Sequence, residues 1–199
     1  MTQLVILGIL LGGLYALAAF GLSVVFGVSG VLNVAHGDFL LLGAMLSFVL
    51  FDAFGINPFL IMLIIIPVFM LLGIVFQRVL VRPISNRSAH ELLIASIILT
   101  LGLSMVISDL SAWTTGASDK GISYSLPSLH IGEIVLPSIR LIIMGVIIVF
   151  TLALNFYLKN SYTGRAMRAI TQDREGAMII GVNIPQVAMI TFGIGAVTA

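Results

Sequence analysis

The chain has 199 residues, 60% of them hydrophobic and only 9% charged, with a formal net charge of +1 and a mean hydropathy of +1.22. Soluble domains carry roughly 45 to 50% apolar residues, so this composition excludes a soluble globular protein and places the chain in lipid. Its scattered Lys and Arg exclude nucleic acid as a partner, and the absence of cysteine excludes disulfides, thiol catalysis and cysteine metal sites.

The N-terminus, MTQLVILG, lacks the basic region and small-residue cleavage site of a signal peptide, so its apolar run is expected to be retained as a span. Crossing the roughly 30 Å hydrocarbon layer takes about 18 or more apolar residues in a helix. Hydropathy predicts spans near Leu4 to Val28, Phe39 to Phe54, Pro58 to Gln77, Leu92 to Leu110 and Ile139 to Leu158, with a last apolar run starting near Val187. That last run is too short to cross before Ala199, which implies a chain incomplete at its C-terminus. The expected fold is therefore an all-α polytopic transmembrane helix bundle, a single domain over residues 1–199 with about six spans.

In the first span Gly8, Gly12 and Ala16 recur every four residues and form a stripe without bulky side chains. Such stripes let helix backbones approach closely, either within one bundle or against a separate membrane subunit. Between the first and second spans stands NVAHGDF, Asn33 to Phe39. Gly30 and Gly37 bracket an expected helix break near residues 29–38, and Asp38 is suited to cap or begin the next helix. If that break lies inside the bundle, Asn33, His36, Gly37 and Asp38 become candidate residues of a translocation pathway. Asn33 and His36 offer hydrogen bonds, and the positive end of the next helix offers a seat for a carboxylate.

The cations set the orientation. Arg78, Arg82 and Arg87 follow the third span and Lys159, Arg165, Arg168 and Arg174 follow the fifth, against Lys120 and Arg140 elsewhere. Short cytoplasmic loops are enriched in Lys and Arg, so both arginine-rich segments are expected inside and residues 111–138 outside. The N-terminus lies outside if the first run crosses once, and inside if Gly21 to Asp38 dips in and returns. The external segment carries Gly, Ser and Pro in a pattern that suggests turns and short strands, with Trp113 and Tyr124 as interfacial anchors.

Enzyme chemistry finds no support. His36, His90 and His130 are far apart and lack HExxH spacing, and neither lysine follows a glycine as a phosphate-binding loop requires. No catalytic residue, metal site or cofactor is expected, and any ATP must be bound by another chain. One rival reading remains at this level, a secondary transporter or channel that uses His36 and Asp38 as an ion or proton site.

The cytoplasmic loop, residues 159–187, reads as two short helices. Helix formers run from Arg165 to Ile170, the polar residues Thr171 to Asp173 cap a second helix, and Gly181 ends it. Ala177, Met178, Ile179 and Ile180 are too few to span and suit either the parent bundle or a groove on a partner.

Glu175, Gly176 and Ala177 followed by Gly181, Ile184 and Pro185 resemble the EAA loop of ABC importer permeases. The surrounding GRAMRAITQDREGAMIIGVNI is similar to the LivH-type permeases of branched-chain amino acid importers, as are LGGLYALAAFGLSVVFGVSGVLNVAHGDFLLLGA and VRPISNRS. The resemblance covers essentially the whole chain. It implies a permease that moves branched-chain amino acids, or a related small amino acid, amide or urea, across the bacterial inner membrane. It further implies a second permease subunit, two ATP-binding subunits and an external substrate-binding protein. The ATPase-coupling residues it implies are Arg165, Arg168, Asp173, Glu175, Ala177 and Gly181. Gly176 departs from the family pattern, where alanine is usual; glycine costs about 0.5 to 1 kcal/mol of helix stability.

Overall fold

A computed structural model describes residues 2–115, 121–122, 127, 129–131 and 134–199. The elements are α1 (Thr2–Ser29), α2 (His36–Phe54), α3 (Pro58–Phe76), α4 (Ala89–Thr115), β1 (Leu129–Ile131), β2 (Ile134–Leu136), α5 (Ser138–Asn160), α6 (Tyr162–Gln172), α7 (Arg174–Ile179) and α8 (Ile184–Thr198). Five of the helices are long and apolar enough to cross a membrane. Each coincides with a span read from hydropathy, because length and apolarity alone decide which segments lipid accepts.

Helix ends follow local chemistry. α2 stops at Gly55, whose φ of +62° is left-handed, and α3 restarts after Asn57, whose side chain accepts from the Phe59 amide at 3.0 Å. Past Phe76 the chain of α3 continues as a π turn, Gln77–Val81, and a short 3-10 turn, Arg82–Ile84. At the start of α4 the Glu91 side chain accepts from the Ser88 amide at 3.2 Å. The turns and short strands expected outside are present in part: β1 and β2 pair antiparallel, with His130 opposite Val135. Trp113 is 85% exposed at the end of α4, as an anchor would be, whereas Tyr124 lies outside the described residues.

The core is built around α8, which packs between α1 and α3. Glycines make this approach possible. A Cβ at Gly73 of α3 would overlap the Phe192 carbonyl, and one at Gly21 of α1 would overlap the Thr198 side chain. Val25, Phe39, Phe69, Phe76 and Phe192 fill the space between, with the rings of Phe39 and Phe76 edge to face at 5.6 Å. A second cluster joins α1 to the segment after α5 through Val28, Leu154, Met167, Ile170, Ala177 and Ile184.

The glycines that bring helices together are thus not those of the Gly8, Gly12 and Ala16 stripe. All three are exposed, and among the described residues nothing lies within 4 Å of a Cβ built at Gly8 or Gly12. Packing among the described residues does not account for the stripe. α1 is continuous through Ser29, and the helix is lost only after it.

Candidate functional site

The break between α1 and α2 is made by Gly30, at φ +67°, a conformation that side chains disfavour. Its amide still donates to the Phe26 carbonyl at 2.8 Å and closes α1. The residues that follow leave the helical ladder, and lipid offers their backbone no partners, each orphan costing several kcal/mol. α4 supplies them. The Leu32 amide donates to Ser96 Oγ at 3.3 Å and the Val34 amide to Thr100 Oγ1 at 3.1 Å, while Thr100 Oγ1 donates to the Ser96 carbonyl at 2.8 Å. Both hydroxyl residues are fully buried. The break therefore sits inside the bundle, as a discontinuous segment must.

Three of the four residues singled out in this segment have different environments. Asn33 is 5% exposed and its Oδ1 has no hydrogen-bond partner among the described residues. His36, also buried, sets Nε2 3.0 Å from the Ala18 carbonyl of α1, so this nitrogen carries the proton. Asp38 lies in the first turn of α2, where a negative charge suits the helix dipole. It is not a cap: Ala35 holds the N-cap position without a side-chain bond, and Asp38 Oδ1 accepts from Ser108 Oγ of α4 at 3.3 Å. Gly37 is helical and open. The partners Ser96, Thr100 and Ser108 went unread, yet with Ser104 they recur every four residues along an apolar helix, a pattern that marks a helix-facing polar stripe.

The second station is the loop after α5. Ser161 caps α6 by accepting from the Gly164 amide at 2.9 Å, and Gly164 lies so close to the Leu158 backbone that a Cβ there would overlap its carbonyl. Arg165 donates to the Asn160 carbonyl at 2.8 Å, and Arg168 donates to the carbonyls of Leu158 at 2.5 Å and Lys159 at 3.2 Å. Both guanidiniums thus close the end of α5, whose last carbonyls have no intrahelical partner.

Asp173 caps α7, with Oδ1 accepting from the amides of Glu175 and Gly176, both at 3.0 Å. A Cβ on Gly176 would stand 2.5 Å from Asp173 Oδ2, so glycine leaves room for this cap where alanine is usual. The helix ends at Gly181, φ +84°, with the Gly181 amide on the Met178 carbonyl and the Val182 amide on that of Ala177, a Schellman closure. Ala177 faces the bundle at 2% exposure, whereas Met178, Ile179 and Ile180 are 52%, 86% and 75% exposed. Glu175 is exposed at the start of the helix. The short helix is fixed at both ends and by one buried methyl, and it presents apolar side chains outward.

Five described helices long and apolar enough to cross a membrane, with a broken segment packed among them, mark a multi-pass membrane protein. The chain belongs to the family of branched-chain amino acid transport system permease components, whose profile matches residues 4–199. It is 31% identical to the high-affinity branched-chain amino acid transport system permease protein LivH of Salmonella typhimurium, over 96% of this chain and 66% of that one. It is 30% identical to LivH of Escherichia coli K12 with the same coverage, and 27% identical to the corresponding permease BraD of Pseudomonas aeruginosa, over 99% of this chain and 67% of that one. The chain thus spans about two thirds of the length of these relatives. No solved structure matches it. Members of the family are transport components rather than enzymes.

Proposed function

We propose that this chain is the permease subunit of an ATP-driven importer in the bacterial inner membrane, carrying branched-chain amino acids or a related small amino acid, amide or urea inward. Its partners in this reading are a second permease subunit, two ATP-binding subunits and an external substrate-binding protein. The observation that carries the proposal is α7. An ATPase dimer that closes on ATP must push a rigid body, and a six-residue helix capped by Asp173, closed at Gly181 and pinned by Ala177 is one. Met178, Ile179 and Ile180 supply the apolar face for a socket, and Glu175 the charge beside it. Arg165 and Arg168 act at one remove, by holding α6 on the end of α5.

The pathway reading for Asn33 rests on its buried, unpartnered oxygen inside the helix break. Such an acceptor suits an ammonium or amide N–H of the cargo. Reconstitution into liposomes tests the whole. Uptake that needs ATP, the ATPase partner and the binding protein supports it. Uptake driven by a pH gradient with this subunit alone overturns it and returns His36 and Asp38 to the centre of the mechanism.

A further inference from the structure

A cavity of about 550 Å³ opens between the end of α1, the tail of α3, α7 and the start of α8. Its size falls within the range of about 300 to 1,000 Å³ typical of small-molecule sites. Gln77, in the π turn, lines it; the residue is 3% exposed and its Oε1 has no hydrogen-bond partner among the described residues. Arg78, Arg82 and Arg174 line the same cavity, and no carboxylate does among the described residues. Val31 and Ile184 add buried apolar wall. The two arginine-rich segments expected on the cytoplasmic side therefore meet here.

These features restrict the ligand. A buried amide oxygen calls for an N–H or O–H donor, and one left unmatched carries the full desolvation penalty. A bare carboxylate satisfies the arginines but brings no donor to Gln77, and a phosphatidylethanolamine brings both charges but carries two long acyl chains that a cavity of about 550 Å³ does not hold. A free amine satisfies Gln77 but is repelled by three guanidiniums. A zwitterion with a short aliphatic side chain satisfies all three parts: ammonium at Gln77, carboxylate at the arginines, side chain on the apolar wall.

We infer that this cavity is a second, cytoplasm-facing binding site for an aliphatic α-amino acid, bordered by Val31 of the helix break but not lined by Asn33. The inference rests on the importer reading for its choice of side and cargo. Because Arg174 belongs to α7 and Gln77 to the tail of α3, a bound amino acid ties the coupling helix to the bundle. The site is thus placed where cytosolic product can slow the cycle.

Equilibrium binding of radiolabelled leucine to the full permease–ATPase complex in nanodiscs, without the external binding protein, tests this. Saturable binding is expected, weakened about ten-fold in Gln77→Leu, the loss that about 1.4 kcal/mol of hydrogen bonding produces. Arg174→Gln, at an exposed position, is expected to weaken it likewise and serves if Gln77→Leu fails to assemble. Absence of saturable binding overturns the inference, as does equal affinity for leucine and for 4-methylpentanoate, which lacks the ammonium. ATP-driven uptake with the binding protein, measured on the same preparation, reports the importer reading independently.

Discussion

The backbone amide of Val34 donates to the hydroxyl of Thr100 at 3.1 Å, joining positions 66 residues apart in the chain. With Ser96 on the Leu32 amide, it makes α4 the partner that a broken helix needs inside lipid. Thr100→Val keeps the volume and removes the hydroxyl. A loss of about 1 to 3 kcal/mol is expected, the cost of an unsatisfied buried donor, while Thr100→Ser is expected to keep most of the stability. Thermal unfolding of the detergent-purified protein checks this; equal midpoints for Val and wild type would remove the assigned role.

Gly73→Ala is expected to destabilise by about 1 to 3 kcal/mol, because the methyl meets the Phe192 carbonyl of α8 rather than a side chain that can yield. Gly12→Ala meets nothing among the described residues and improves helix propensity, so its midpoint is expected to be unchanged or raised. The pair of melting curves separates glycines that pack this bundle from those on its outer face. A drop at Gly12 that appears only in the assembled complex would place a subunit on the Gly8, Gly12 and Ala16 stripe.

Asp173→Ala is expected to cost about 1 kcal/mol of local helix stability, as loss of an N-cap does. α7 has six residues, so that loss is expected to let it fray. Hydrogen exchange over residues 175–180 is expected to rise and ATPase stimulation by substrate to fall, with Asp173→Asn close to wild type. Unaltered exchange in the alanine variant would show that Ala177 alone holds the helix.

Arg168→Ala leaves the carbonyls of Leu158 and Lys159 without their donor, and exchange at the last turn of α5 is expected to accelerate. Arg168→Lys keeps the charge but not the fork, so partial recovery is expected. If the two substitutions match in exchange but differ in ATPase coupling, Arg168 contacts the partner instead.

The spans were legible because hydropathy is a local property, and the position of the break was legible because Asn33, His36 and Asp38 stand out against it. The partners of the break were not, since Ser96 and Thr100 lie 64 to 66 residues away and nothing local in NVAHGDF points to them. Only their spacing along α4 announced a polar stripe. In the loop after α5, Asp173 and Gly181 did what their types suggest at helix ends. Arg165 and Arg168 read as cations that set orientation, because sequence shows their charge but not that α6 folds back onto α5. Ala177 and Ile179 look alike in composition; burial separates them, and burial depends on the bundle.

The central place of α8 sets an order of events during synthesis. The helix that α1 and α3 both close upon is the last of those described to leave the ribosome. Until it arrives, Gly21 and Gly73 have no knob to receive, and the earlier spans hold only the contacts they make with one another, such as Phe39 on Phe76. Contacts so distant in sequence form slowly. The packing around α8 therefore forms after that of the earlier spans, and a substitution at Gly73 is expected to lengthen the interval in which membrane proteases meet unpaired helices. Its effect will show first in how much protein accumulates, before any change in what the protein transports.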